Sequence, residues 1–467
     1  MRRTLFGVPV KVAQVSASLH VVVVGSGPSG FYAAAALLAA EDPLIHVDVL
    51  ERLPTPWGLV RSGVAPDHPK IKSVAATFEQ IAAHERFRWF GNIDLGGDVS
   101  RDELLAAYDA VVYALGAQSD RHLEVPGEAL TGSVAATDVV GWYNGHPHYP
   151  DLDLSLQHER AVVVGNGNVA LDVARMLCSP VADLNRTDIA DHALEVLAGS
   201  AVREVLVVGR RGPTQATWTT LELRELGDLA DVDVLVEPSG ALDVDDDGLP
   251  PVVRRNLKTL RALAGRPQRS GARRLVFRFL RSPAALHGNG RVERVDLACN
   301  DLVTDTEGRV LAHDSGVREV VDTGLVVRAV GYVGVPVDGL PFDPVAGHIP
   351  HERGRVDGHD REYVVGWIKR GPTGVIGTNK KDARETVTRL LADLATVADA
   401  GAQHPPADRA ARLEAWLRTK QPDLVTDPGW QAIDAVERRA GAEQGRPRVK
   451  LVRTSDLLAA ARHIPTP

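Results

Sequence analysis

The sequence predicts an α/β protein built on two doubly wound nucleotide-binding folds, and three observations predict it. Four valines, Val21 to Val24, lead into a glycine turn and then an Ala- and Leu-rich segment. The same succession returns at Ala161 to Leu177. Two further apolar runs, 108–116 and 323–331, also end at glycines. Short β-branched runs that are apolar on both faces read as strands inside a parallel sheet.

The first unit carries Gly25, Gly27 and Gly30 in the spacing G-x-G-x-x-G, followed by strong helix formers from Phe31 to Ala40. Gly25 permits the tight turn, Gly27 lets the backbone approach a pyrophosphate, and Gly30 lets helix and strand pack closely. The free N–H groups of the helix's first turn face the anion. A second β-branched run, Ile45 to Leu50, ends in Glu51. That acid stands about 20 residues beyond the last glycine, where a carboxylate accepts hydrogen bonds from an adenosine ribose. A glycine turn alone is weak, but here the strand, helix and acid it requires are all present.

Bulk properties narrow the field. At 467 residues the chain calls for two or three domains. Hydrophobic content of 44% and charged content of 24% are ordinary for a globular protein. The net charge of −8 gives no support for nucleic-acid binding. Cys178 and Cys299 cannot form a disulfide framework or an iron–sulfur site by themselves. No apolar run approaches the roughly 18 residues that span a bilayer, and no apolar core of signal-peptide length follows Arg2-Arg3. A cytoplasmic protein with a loose tail over residues 1–19 is expected.

Residues 52–70 hold four prolines and two glycines, an ordered loop whose length points to function. Its aromatic, histidine and cations suit a wall against a flat ring system. Ile71, Val74, Phe78 and Ile81 then predict an amphipathic helix over 71–84. In the second unit Gly165, Gly167 and Ala170 give the alanine variant of the dinucleotide turn. Its next strand, 204–209, ends in Arg210-Arg211, after an inserted helical stretch around 187–198. NAD sites place an acid at that point, whereas a 2′-phosphate calls for cations, so NADP is predicted over NAD. One fold with an acid and one with arginines imply FAD and NADPH together, and hydride transfer between them.

The segment 251–281 contains ten Arg or Lys residues, among them Arg254, Arg255 and Lys258, and no Asp or Glu. It suggests a docking face for an acidic partner. The strand at 323–331 is expected to return the chain to the first domain. Residues 362–379 then read as strand, glycine loop and helix start, with Thr378 or Asn379 as the cap. Gly374 would leave room for a stacked nicotinamide. Residues 408–467 read as helices, with Trp416 and Trp430 in the core. The predicted organisation is a discontinuous FAD domain, 20–118 and 330–467, with an NADP domain, 119–329, inserted in it.

With these pieces assembled, the chain resembles the bacterial branch of adrenodoxin-reductase-type ferredoxin–NADP⁺ reductases. The likeness rests on GSGPSG, PTPWGLVRSGVAPDHPK, GNGNVALDVAR, VGRRGP, TTLELREL and EYVVGWIKRGPTGVIGTNKKDA. It implies a glutathione-reductase-like architecture and FAD contacts from Ser29, Glu51, Leu59, Leu95, Trp367, Gly374, Val375 and Ile376. It also implies NADP contacts from Asn166, Gly167, Asn168, Val169, Arg210, Arg211, Glu222 and Gly374. His68 and Glu222 would tune hydride transfer near the junction of the two rings. The implied partner is a ferredoxin, docking on basic residues of the NADP domain, and no metal is implied.

Other readings stay open at this stage. A disulfide reductase needs a paired cysteine motif, which is missing. The small-subunit type of glutamate synthase carries cysteine-rich iron–sulfur segments, also missing. An NADPH-dependent flavin reductase with another acceptor, or a non-catalytic redox sensor, would be told apart by assaying ferredoxin reduction.

Overall fold

The computed structural model describes residues 18–374, 376–395 and 406–463. Most of the expected tail therefore lies outside the described residues, and Ser18 and Leu19 already belong to the first strand.

That strand, Ser18–Val24, is central in an eight-stranded sheet, with Leu44–Glu51 and Ala110–Tyr113 parallel on either side. Phe87–Gly91 extends the sheet beyond the former and Glu362–Val364 beyond the latter, both parallel. The valine run is buried on both faces, as a doubly covered strand requires. Val21 and Val23 join one core, while Val22 and Val24 join another on the opposite face. Reversal of strand order about the central strand opens a crevice at the carboxyl ends, where such sheets bind ligands.

The second sheet has six strands, all in parallel pairs: Ser133–Ala135, Val326–Arg328, Arg160–Val164, Glu204–Gly209, Arg273–Phe279 and Val232–Glu237 in spatial order. Helices cover one face. A three-stranded antiparallel sheet, Arg281–His287, Arg294–Thr304 and Val310–Asp322, covers the other through Leu286, Val295, Leu297 and Val321. Val326–Arg328 stays in this second sheet, so the chain returns later than the sequence suggests. The crossing points are Ser119–Asp120 and Tyr332–Val333, which pair with each other.

Three local expectations change. The helix expected over 71–84 is two pieces, Pro69–Lys72 and Ala75–Ala82, and of its apolar residues only Phe78 is buried. The 52–70 loop contains a helical turn, Leu59–Ser62, launched by Gly58 at φ +50°. After helices Pro406–Lys420 and Asp427–Glu443 the chain turns at 444–447 and then runs without regular structure to the last helix, Thr454–Arg462. In that strap Lys450 donates to the Arg61 carbonyl and to Asn144 Oδ1, and pairs with Asp188. Burial would raise the Asp188 carboxyl, but Lys450 and Lys72 hold it down at about 2. Arg446 pairs with Asp191 and caps the Thr187 carbonyl. The strap thus ties both sheets together. Trp430 is buried and Trp416 half-buried, both in packing roles.

Candidate functional site

The three glycines of the first turn exist for three different reasons. Gly25 has φ +107°, and a Cβ there would stand 2.5 Å from the Ala114 carbonyl oxygen. A Cβ on Gly30 would stand 2.0 Å from the Gly25 oxygen. Gly27 has nothing within 4 Å of its Cβ position, so the turn is open at that point alone. Helix Pro28–Leu38 begins there with no side chain on its N-terminus. Exposed N–H groups beside open space fit a pyrophosphate.

Glu51 is held in place by the protein's own groups. Its Oε2 accepts from the Ser26 N–H (3.0 Å) and hydroxyl (2.7 Å), and its Oε1 from the Leu53 N–H (3.1 Å). A carboxylate has about four acceptor sites, so capacity remains for a ribose hydroxyl. The 52–70 loop locks onto the same turn. The Trp57 N–H donates to the Ser26 oxygen at 3.0 Å, and a Cβ on Gly58 would lie 2.9 Å from Gly27 Cα. Leu59, 39% exposed, follows directly. Leu95 sits in a loop hung from the same strand by the Ile93 N–H on the Glu51 carbonyl, 2.9 Å.

The far end of the chain returns to this crevice. Gly366, at φ +78°, approaches so closely that a Cβ would be 2.4 Å from Ser29 Oγ. Its N–H donates to Asp382 Oδ2 at 2.6 Å, which places Trp367 beside the first helix, 5.7 Å from the Tyr332 ring. Ile376 packs on the adjoining core. Val375 lies outside the described residues. Gly374 is needed for φ +83° and because a Cβ would stand 2.8 Å from Thr378 Oγ1. That constraint is internal, whereas the sequence suggested room for a ligand. The crevice fits FAD.

The second turn repeats the geometry. Gly165 has φ +142°, and a Cβ there would be 2.2 Å from the Ala329 oxygen. Gly167 starts helix Asn168–Cys178, whose N-terminus no side chain caps, and Val169 lies in its first turn. Asn168 Oδ1 accepts from the Thr219 N–H at 2.8 Å, fixing the wall opposite the helix. Asn166 Oδ1 is buried with no hydrogen-bond partner among the described residues. Such an orphan acceptor awaits a ligand. Arg210 is exposed and Arg211 half-buried, and neither has a carboxylate partner among the described residues. Unneutralised cations there fit a 2′-phosphate.

His68 and Glu222 do meet, His68 Nε2 lying 3.7 Å from Glu222 Oε2. They are part of a larger cluster between the two sheets. The Arg175 guanidinium donates to Asp67 (2.7 Å), Asp172 (2.9 Å) and Glu225 (3.2 Å), and touches His68 Nε2 at 2.8 Å. His68 Nε2 also lies 2.6 Å from Glu225. Burial pushes the Asp172 carboxyl up to about 7, with the Glu222 charge adding to it against Arg175. Burial raises the Glu222 carboxyl too; its Oε2 has no hydrogen bond among the described residues, with Arg175 Nη1 at 3.5 Å the nearest cation. Sequence reasoning missed Arg175, Asp172, Asp67 and Glu225. The signal was there: Asp172 and Arg175 stand three residues apart on one face of an otherwise apolar helix.

The basic segment is mostly spoken for internally. Arg261 binds Asp246, Arg269 binds Asp233, Arg274 binds Glu204, and Arg278 and Arg281 both bind Glu319. Arg266 and Arg273 donate to carbonyls of Gly227 and Cys178. Of the segment's ten cations, Arg254, Arg255 and Lys258, on helix Pro251–Ala264, alone are exposed without such partners among the described residues. Both cysteines are free, and burial pushes the Cys178 thiol up to about 12. No helix among the described residues is long and apolar enough to cross a membrane.

Two dinucleotide turns, with an ionic cluster joining the loop held on the first to the helix that starts at the second, define a two-nucleotide oxidoreductase of the glutathione-reductase architecture. Residues 19–209 match the pyridine nucleotide-disulphide oxidoreductase family. NADPH-ferredoxin reductase FprA of Mycobacterium tuberculosis is 56% identical over 94% of this chain and 98% of that protein. Mitochondrial NADPH:adrenodoxin oxidoreductase of Arabidopsis thaliana is 41% identical over 96% of each. The solved structure of Mycobacterium tuberculosis FprA in complex with NADPH superposes with a TM-score of 0.93 at 54% identity, covering 96% of this chain and all of that one. The chain belongs to the adrenodoxin-reductase-type NADPH-ferredoxin reductases.

Proposed function

We propose that the protein is an FAD-dependent ferredoxin–NADP⁺ reductase that carries electrons from NADPH to an acidic iron–sulfur protein. The observation that carries this reading is the pairing of opposite charge with the two glycine turns: Glu51 at one, Arg210-Arg211 at the other. FAD, when bound, accepts a hydride from NADPH and releases the two electrons singly, which a one-electron partner requires.

The protein's own task is placement and exclusion of water. Gly27 and the start of helix Pro28–Leu38 take the pyrophosphate, and Glu51 the ribose. Ser29, Leu59, Leu95, Trp367 and Ile376 enclose the rest of the flavin nucleotide. Asn166, Gly167, Asn168 and Val169 take the pyrophosphate of NADPH, and Arg210 and Arg211 its 2′-phosphate. His68 and Glu222, with Gly374, stand where the nicotinamide reaches the flavin. The domains divide as 20–118 with 330–467 and 119–329, between the paired strands at Ser119–Asp120 and Tyr332–Val333.

The partner docks on Arg254, Arg255 and Lys258. Their helix is tied to Glu222's helix by Asn256, which donates to the Trp218 carbonyl (3.1 Å) and accepts from Thr220 (2.6 Å). The reaction belongs to the cytoplasm, where NADPH is kept reduced. Anaerobic titration with NADPH, followed by addition of a bacterial ferredoxin, tests the reading. Reduction and then reoxidation by ferredoxin support it. Reoxidation by dyes but not by any ferredoxin points to a flavin reductase, and no turnover at all to a sensor.

A further inference from the structure

We infer that Asn300 is a positioning residue for the 2′-phosphate grip, acting through the turn that carries Arg210 and Arg211; this rests on reading those arginines as the NADPH selectivity site. A cation pair grips a phosphate well only if its forks are held in place, because each mobile side chain must otherwise be ordered on binding. Among the described residues, the arginine side chains themselves have no carboxylate to hold them. What holds this turn is its backbone, and the three-stranded sheet does the holding.

Asn300 Nδ2 donates to the Arg210 carbonyl at 3.1 Å. The Arg211 carbonyl accepts from the Leu280 N–H at 3.3 Å, and the Leu280 carbonyl in turn accepts from the Asn300 N–H at 2.9 Å. Asn300 is also in contact with the Ser282 hydroxyl, 3.1 Å from Nδ2. One buried residue, 6% exposed, therefore closes a ring with the carbonyls of both arginines. Its place is unusual for a strand. Asparagine is a poor strand former, and the register of Arg294–Thr304 against Val310–Asp322 shifts between Ala298 and Asn300. The shift sits opposite Gly316, at φ +84°. Bulges of this kind re-aim a side chain, and here the side chain is aimed at the arginine turn. Farther along the same hairpin, Val310 offers its carbonyl to Arg211 Nη1 at 3.5 Å.

The test compares ligands that differ in the 2′-phosphate. In the FAD-loaded enzyme, Asn300→Leu removes the amide at similar volume, and Asn300→Ser keeps a donor on a shorter arm. Calorimetry with adenosine 2′,5′-bisphosphate and with 5′-AMP reads the grip directly. One lost hydrogen bond on the turn predicts bisphosphate binding weaker by about fivefold to tenfold in Asn300→Leu, with a smaller loss for 5′-AMP. The kcat/KM ratio of NADPH to NADH should fall by a similar factor, and Asn300→Ser should recover part of it. Should Asn300→Leu lose its flavin, Asn300→Ser carries the same comparison. Equal weakening toward both ligands, or none, overturns the inference. The double variant Arg210→Ala/Arg211→Ala separates the two levels. If it leaves the NADPH-to-NADH ratio unchanged, the selectivity site itself is misread; if it collapses the ratio while Asn300→Leu does not, only the role of Asn300 fails.

Discussion

The two nucleotide turns are near copies in backbone and opposites in charge. In both, the first glycine has positive φ and backs onto an alanine carbonyl, Ala114 in one and Ala329 in the other. In both, its N–H reaches the neighbouring strand, Leu50 at 2.7 Å and Val208 at 2.9 Å. The difference lies one strand further on. Glu51 is held by three hydrogen bonds within the protein, whereas exposed Arg210 and half-buried Arg211 have no carboxylate partner among the described residues. A closed, pre-aimed acid suits a nucleotide that stays, and open cations suit one that comes and goes. The fold supplies a glycine turn and an uncapped helix start twice, and the charge at the end of the second strand is where the two differ.

The largest expected effects break one turn while sparing the other. Gly30→Ala places a Cβ 2.0 Å from the Gly25 oxygen, and the purified variant should lose its flavin absorbance. Gly165→Ala places one 2.2 Å from the Ala329 oxygen at φ +142°, and should stay yellow while no longer being reduced by NADPH. Loss of flavin from both variants would show that the turns are not independent.

Next comes the charge difference. Arg210→Ala with Arg211→Ala removes two charge-assisted contacts worth about 1.5–3 kcal/mol each. Steady-state assays should show the KM for NADPH rising by roughly a hundredfold or more on that energy, with the KM for NADH far less changed. Equal effects on the two would remove the distinction between the sites. Reversing charge at Arg254, Arg255 and Lys258 should slow ferredoxin reduction by about tenfold at low salt. The gap should close as screening shortens to about 10 Å at 0.1 M, and reduction of a small dye should not follow it.

The smallest effect concerns the cluster between the turns. Asp172 has its folded pKa raised from 3.8 to about 7. An acid raised in this way binds its proton more tightly when folded. Its contribution to stability is therefore complete below about pH 4 and is lost as pH rises through about 7. Asp172→Asn should flatten the fall in melting temperature across that window. An unchanged slope would place the titrating group elsewhere in the cluster.

Much of this was legible from residue order. Four valines followed by spaced glycines leave few folds to choose from, and both turns form where the spacing puts them. The places of Glu51 and Arg210-Arg211 beside the two turns could be read, because distance along the chain from the glycines translates into a place at the carboxyl end of the neighbouring strand. Arg175 was legible only in part: Asp172 stands three residues before it on the same helix, but its partners Asp67 and Glu225 come from different elements, and only the tertiary fold brings them within 3.2 Å. The same holds for the basic block at 251–281. Ten cations in sequence look like one surface, yet neighbouring strands supply Asp233, Glu204 and Glu319 to neutralise them. Asn300 was hidden for a related reason: a bulge aims it, and bulges leave little trace in a strand's pattern. Likewise the 71–84 helix breaks at Ser73, where local hydrogen bonding to Lys70 competes with the apolar period.

The central claim is that one turn holds a resident flavin and the other selects a phosphorylated nicotinamide. Its most direct test is to denature the purified protein, identify and count the released nucleotide, and titrate an intact sample anaerobically with NADPH and, separately, NADH. One FAD per chain, reduced stoichiometrically by NADPH at concentrations where NADH has little effect, is the predicted result. A colourless protein that takes up no flavin on reconstitution, or a flavin that NADH reduces as readily as NADPH, would contradict it.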